Sequence, residues 1–109
     1  MKTIRIFNSL NNKDEELKTI EPGKVSIYYC GPTVYDYPHI GNCRPPVVFD
    51  LLRRVLLYVG YDVKFVSNFT DVDDKIINRA KEEGIPAGEV SEKYIEEYYK
   101  DAAALNVKK

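Results

Sequence analysis

The sequence predicts an α/β fold, a parallel Rossmann-like sheet with flanking helices, on three observations. Residues 25–30 (VSIYYC) are β-branched and aromatic without a charge, the character of a strand buried on both faces in a parallel sheet. Residues 62–66 (DVKFV) read as a second strand. Between them Val47, Val48, Leu51, Leu52, Val55, Leu56 and Val59 recur at helical spacing within residues 40–59, so strand, helix and strand form one βαβ unit.

Three regions follow from this. Residues 1–24 are an N-terminal extension, in which 4–7 read as a short strand, the polar stretch 8–16 supplies turn chemistry, and Pro22-Gly23 marks a turn. Residues 25–67 are the βαβ core. In its helix Arg44, Asp50, Arg53 and Arg54 fall mostly on the face away from the apolar stripe. Pro45 and Pro46 are placed in the first turn, where amides lack intrahelical partners, and Gly60 stops the helix. Residues 68–109 are a helical continuation. Thr70 or Asp71 caps a helix over residues 72–83, with Val72, Ile76, Ile77 and Ala80 as its stripe and Gly84 as its end. Residues 86–88 read as a hinge, and Ser91 opens a last helix that packs through Tyr94, Ile95, Tyr98, Tyr99, Ala102 and Leu105. Two core strands are fewer than a doubly wound sheet carries, so the sheet reads as part of a larger one.

Composition narrows the function. With 109 residues, 44% hydrophobic and 30% charged, the chain fits one soluble domain with a modest core. Sixteen Lys and Arg against seventeen Asp and Glu leave a net charge of -1, so no strong overall field draws in nucleic acid, and basic surface for RNA is expected elsewhere. The start MKTIRIFNSLNN lacks the apolar core of a signal peptide, and the apolar run 55–59 is too short to span a bilayer. A cytoplasmic location without a membrane partner is expected. Cys30 and Cys43 are too few for a disulfide framework; Cys43, among apolar residues, reads as buried, and Cys30 as metal-capable.

The chemistry concentrates in residues 28–42 (YYCGPTVYDYPHIGN). Its loop runs from the carboxyl end of the first core strand into a helix amino end, where open α/β sheets bind ligands. Free amides and the macrodipole there favour a phosphate, and Gly41 lets it approach the backbone. His39 and Asn42 can donate to a phosphoryl oxygen, and donors aimed at an α-phosphorus stabilise the charge that builds during nucleotidyl transfer. Taken alone, His39 and Gly41 also suit a plain helix cap beside a turn. Asp71, Asp73 and Asp74 resemble a divalent-metal cluster, yet carboxylates in a helix's first turn are accounted for by its dipole. Tyr94, Tyr98 and Tyr99 share a helix face and read as packing, whereas Tyr35 and Tyr37 lie in the loop and are candidates for function.

At this point a family resemblance becomes specific. YYCGPTVYDYPHIGNCRPPVVFD, followed by GYDVKFVSNFTDVDDKII, resembles the amino-terminal catalytic region of bacterial cysteinyl-tRNA synthetases over most of residues 1–107. These are class I synthetases with a HUP-type Rossmann-like domain, of which this chain holds the first half. PHIGN resembles their HIGH signature with Asn42 in place of the second histidine; its amide donates but carries no charge. The resemblance implies that Thr33, His39, Gly41 and Asn42 hold ATP and its Mg2+, with His39 and Asn42 acting in catalysis, and that Gly31 and Thr70 shape the pocket for L-cysteine. It implies that Cys30 is one of four ligands of a zinc ion that binds the substrate thiolate and so rejects serine. The other three, a cysteine, a histidine and a glutamate, lie downstream in the family, which leaves the zinc site incomplete in this chain. The implied reaction joins cysteine and ATP into cysteinyl-adenylate and pyrophosphate, then passes the acyl group to tRNA(Cys) through regions mostly absent here. No KMSKS-like loop is present, so the chain by itself is expected to be inactive or severely impaired. Two alternatives stand beside this: the cysteine ligase of mycothiol biosynthesis, against which NFTDVDDK leans, and a non-catalytic nucleotide-binding or interaction module.

Overall fold

The computed structural model describes residues 3–108. β1 (Arg5–Asn8) and β2 (Lys13–Glu16) form an antiparallel hairpin in which Arg5 stands opposite Glu16 and Asn8 opposite Lys13. The polar stretch 8–16 is therefore half turn and half strand. An isolated two-stranded ribbon covers neither face with other elements, so charged side chains are tolerated along it, and KDEE forms a strand that its composition conceals. Asn12 takes the left-handed conformation (φ 54°), the Leu10 amide donates to Asn8 Oδ1 (3.0 Å), and the Asn8 and Asn11 side chains both donate to the Glu15 carboxylate (3.0 and 2.6 Å).

β3 (Lys24–Tyr29) and β4 (Asp62–Ser67) pair in parallel, joined by α1 (Ile40–Tyr58), which is the expected βαβ unit. α2 (Asp74–Glu83) and α3 (Ala87–Ala104) follow. The described residues thus hold two two-stranded sheets and three helices. Val25 stands opposite Val63 and Ile27 opposite Phe65, and this face is covered: Phe49 of α1 lies 5.0 Å from the Tyr29 ring, and the Arg53 guanidinium 5.0 Å above Phe65. The alternate residues Ser26, Tyr28, Lys64 and Val66 are exposed. The expectation that the first core strand is buried on both faces is corrected to one covered face.

The covered side of α1 also differs from the predicted stripe. Leu56 is buried and Leu52 and Val59 half-buried, but Val47, Val48, Leu51 and Val55 are exposed. Asp50 lies on the inner side instead of facing solvent. Its Oδ2 takes the Arg54 Nε–H at 2.7 Å and its Oδ1 the Lys108 amide at 2.9 Å, while Arg54 Nη2 donates to the Asn106 carbonyl at 2.8 Å. This pair ties the segment after α3 back onto α1, and the satisfied hydrogen bonds are what make a buried carboxylate tolerable. Pro45 and Pro46 stand in the second turn, not the first, because the helix already begins at Ile40. Neither has an N–H to offer the carbonyls of Gly41 and Asn42 four residues back.

α2 is capped by Asp73, whose Oδ2 accepts the Lys75 amide at 3.0 Å, and not by Thr70 or Asp71. Thr70 is engaged elsewhere: its amide donates to the Pro32 carbonyl (3.0 Å) and its carbonyl accepts the Val34 amide (3.2 Å). Ile76 and Ala80 are buried, whereas Val72 and Ile77 are exposed and drop out of the stripe. Gly84 ends α2 in the left-handed region (φ 70°). α3 starts at Ala87 with Pro86 as its N-cap, so of the segment 86–88 read as a hinge, Ala87 and Gly88 belong to the helix's first turn. Ser91 is buried one turn further in, its hydroxyl donating to the Asp71 carbonyl at 2.7 Å. Leu105 stands past the helix end and is exposed. Val34, Ile76, Ala80, Val90 and Tyr94 make the core cluster, with Tyr35 and Phe69 against it, so it sits directly beneath the loop that follows β3. No helix among the described residues is long and apolar enough to cross a membrane.

Candidate functional site

The site begins where the parallel pair runs out. The Gly31 amide donates to Asn68 Oδ1 at 2.8 Å, and a β-carbon at position 31 would overlap the Asn68 carbonyl oxygen, so the backbone can pass there only as glycine. Two residues on, Thr33 pairs with Thr70 in an isolated parallel bridge beyond the ends of β3 and β4, one residue out of their register. Gly31, Thr33 and Thr70 are thereby gathered at the carboxyl ends of the strands.

Val34 then anchors the loop in the core at 2% exposure. Asp36 accepts the Tyr37 amide at 2.8 Å and lies 3.6 Å from Arg79 of α2, and the Tyr37 ring meets Tyr94 edge-on at 5.3 Å. Held from beneath in this way, the loop delivers His39 as the N-cap of α1.

The cap is reciprocal. The Gly41 amide donates to His39 Nδ1 at 3.1 Å, the His39 amide to Asn42 Oδ1 at 3.0 Å, and the Asn42 amide to the His39 carbonyl at 2.9 Å. An imidazole nitrogen that accepts a hydrogen bond carries no proton, so the geometry assigns the neutral ring's proton to Nε2. The oxygen of the Asn42 side chain is occupied, which turns its NH2 group into the donor. The amides of Gly41 and Asn42 are used inside the cap, which leaves the side chains of His39 and Asn42 as donors.

Thr33, Tyr35, Asp36, His39, Asn42 and Lys75 line a cavity of about 360 Å³ between the loop, α1 and the first turn of α2. The structure therefore brings Thr33, His39 and Asn42 to one space. Gly41 lies behind the imidazole, where a β-carbon would come within 2.9 Å of His39 Cε1. Gly31, Thr70 and Cys30 do not line the cavity. Tyr35 and Tyr37 do, as the loop placement implied, and Tyr98 joins them from α3 although its helical spacing marked it for packing alone. Lys75 escaped the sequence reading altogether. The available signal was its place two residues after Asp73, in a first turn whose side chains lean back towards the preceding loop.

Asp36, with Arg79 and a backbone amide beside it, is compensated, so the remaining groups are the Lys75 ammonium, the imidazole N–H, the Asn42 amide and the Thr33 hydroxyl. Such a set receives an anion rich in oxygen. A second, more apolar cavity of about 370 Å³ lies between the sheet, α1 and α3, walled by Tyr29, Phe65, Phe69, Tyr98, Tyr99 and Ala102. Burial there pushes the Tyr98 phenol well up, with Tyr29 adding to it, and pushes the Tyr29 phenol up as well.

The residues described do not fit a zinc site. Cys30 is exposed, with its Sγ 3.8 Å from the Gly31 carbonyl oxygen, and no group of three or more His, Cys, Asp or Glu able to hold a metal occurs among the described residues. A tetrahedral zinc needs three or four protein ligands. Cys43 is half-buried, and burial, then Asp101, raise its thiol above the ordinary value. Asp73 is committed to capping α2.

The chain is similar in sequence to known proteins. The sequence profile described as tRNA synthetases class I (C) catalytic domain matches residues 16–109. A protein of Lachnoclostridium phytofermentans named cysteine–tRNA ligase is 64% identical over 104 residues, 95% of this chain and 22% of that protein. One of the same name from Shouchella clausii is 62% identical over 105 residues, 96% of this chain and 22% of its own length, and one from Clostridioides difficile is 57% identical over 106, covering 97% and 23%. The chain thus spans between a fifth and a quarter of the length of these relatives. With the profile covering nearly all of it, the chain belongs to the class I (C) tRNA synthetase catalytic-domain family.

Proposed function

We propose that this chain supplies the nucleotide grip of a cysteine–tRNA ligase: ATP-dependent activation of L-cysteine to cysteinyl-adenylate, followed by acyl transfer to tRNA(Cys). The single observation that carries this reading is the convergence of Thr33, His39 and Asn42 on one donor-lined cavity at the carboxyl end of a parallel strand pair. In this reading β3 and β4 belong to a larger Rossmann-like sheet, and the protein works in the cytoplasm.

His39 Nε2–H and the Asn42 amide hold phosphate oxygens of ATP, whose Mg2+ arrives with the nucleotide. As the cysteine carboxylate attacks the α-phosphorus, charge grows on those oxygens, and fixed donors stabilise that state more than the bound substrate. Gly41 acts by leaving room for the imidazole. Gly31 and Thr70, gathered beside Thr33 by the bridge, form the wall for the amino acid, with Cys30 next to them at the strand end. Cys30 remains a metal ligand only in company with residues from outside this chain, and no step is routed through it.

Calorimetric titration of the chain with ATP tests the grip, with His39→Asn as comparator, since asparagine also caps helices but has no Nε2 donor. Saturable binding that His39→Asn weakens about tenfold supports the reading, in line with one hydrogen bond to a charged group. Absence of binding, or equal binding by the variant, overturns it. Cysteine-dependent ATP–pyrophosphate exchange by the same chain, with and without zinc, reads the activation step; little or no exchange is expected, because the relatives extend far beyond this region.

A further inference from the structure

We propose that Lys75 is a phosphate-binding residue of this cavity, its ammonium meeting the phosphate chain of ATP from the α2 side while His39 and Asn42 meet it from α1. This rests on the nucleotide reading above and adds to it a cation on a different element. Three observations converge on the residue. Lys75 lines the same cavity as Thr33, His39 and Asn42. Its Nζ lies 5.4 Å from the centroid of the Tyr35 ring, a contact that holds the side chain over the loop. Among the described residues no carboxylate stands within ion-pair distance of it; Asp36 is placed against Arg79 at 3.6 Å, and Asp73 caps α2 through the backbone amide of Lys75. It therefore brings an unpaired positive charge to a space whose other donors are neutral and whose one lining carboxylate, Asp36, already stands against Arg79.

The size of the cavity selects between anions. A space of about 360 Å³ with donors on two walls exceeds what one carboxylate fills, whereas a phosphate chain offers oxygens to both walls at once. An ammonium suits this ligand, because its three rotatable donors follow the chain without a fixed fork geometry.

The test titrates inorganic tripolyphosphate, ATP and L-cysteine separately into the wild-type chain and into Lys75→Met, Lys75→Arg and His39→Asn, by calorimetry at low ionic strength. Lys75→Met is expected to weaken both tripolyphosphate and ATP about tenfold or more, and Lys75→Arg to keep most of the affinity. The dependence of tripolyphosphate binding on salt should flatten in Lys75→Met, since screening then acts on one charge fewer. If Lys75→Met binds ATP as the wild type does while His39→Asn loses it, the Lys75 assignment falls and the nucleotide reading stands. If the wild type binds neither ATP nor tripolyphosphate, both fall. If Lys75→Met impairs only L-cysteine binding, the lysine faces the amino acid and the phosphate assignment is overturned. Thermal melts keep these outcomes distinct from misfolding, and Lys75 is exposed, so its substitution leaves the core unchanged.

Discussion

Gly31 lies against Asn68 so closely that the two backbones leave no room for a β-carbon, and the same contact carries a hydrogen bond from the Gly31 amide to Asn68 Oδ1 at 2.8 Å. The obstruction is a carbonyl oxygen, which cannot rotate away as a side chain would. Gly31→Ala should therefore force the ends of β3 and β4 apart and destabilise the chain by about 1–3 kcal/mol, the usual cost of overpacking. Urea unfolding monitored by circular dichroism measures it. An unchanged midpoint would show that the strand ends yield freely, and that the wall formed with Thr70 is not rigid.

At Glu83 the sign of the pH dependence follows from the partners. A hydrogen bond from the Lys93 ammonium at 3.1 Å, with Arg79 adding to it, holds the carboxyl below its ordinary value of 4.5. The folded state thus takes up this proton less readily than the unfolded state. Its contribution is present above pH 4.5 and is lost as pH falls from there through the folded-state value. Lys93, raised above 10.5 chiefly by the same contact, mirrors this: its share is present below 10.5 and is lost as pH rises through its folded-state value. Glu83→Gln should flatten the acid limb of a stability profile taken between pH 6 and about 3. A variant with the same acid limb as the wild type would refute the assignment.

These elements show where sequence was sufficient. The βαβ unit was legible because VSIYYC and DVKFV each have one strand character and a long periodic helix separates them. The helix start at PHIGN was legible because a histidine, a glycine and an asparagine there suit a cap beside a turn. What escaped notice depended on partners distant in sequence. Asp50 looked like a solvent-facing charge until Lys108, 58 residues away, supplied its hydrogen bond. Thr70 looked like a cap, yet Pro32 and Val34 claimed its backbone. Lys75 had no motif of its own, and only the folding of α2 against the loop places it beside His39.

Alkaline pH tests the packing of α3. Burial, then the neighbouring Tyr29, raise the Tyr98 phenol well above 10.0. The folded state keeps this proton longer than the unfolded state, so stability should decline as pH rises above about 10 and continue down until the folded-state value is reached. Tyr98→Phe removes the share of that dependence due to Tyr98. Unfolding free energies at a series of pH values, with absorbance at phenolate wavelengths, follow both quantities. Equal alkaline slopes for the wild type and Tyr98→Phe would show that the phenol ionises freely in the folded chain.

Gly41 separates helix stability from ligand chemistry. An alanine β-carbon there would come within 2.9 Å of His39 Cε1 and 3.0 Å of Nδ1, so the imidazole has to swing out and surrender the hydrogen bond from the residue 41 amide. Alanine improves the helix by about 0.5–1 kcal/mol over glycine, and loss of the cap costs about 0.5–2 kcal/mol, so the net change in stability is small. The Nε2 donor, however, leaves the cavity with the ring. Gly41→Ala should melt within a few degrees of the wild type and still bind ATP about tenfold more weakly, as one lost hydrogen bond to phosphate implies. Nitrogen-15 spectra of the imidazole report the ring's release directly, since the protonated-Nε2 pattern enforced by the cap gives way to averaging between tautomers. If that release occurs and ATP affinity is unchanged, His39 is only a cap, and the phosphate contact belongs to the other donors of the cavity.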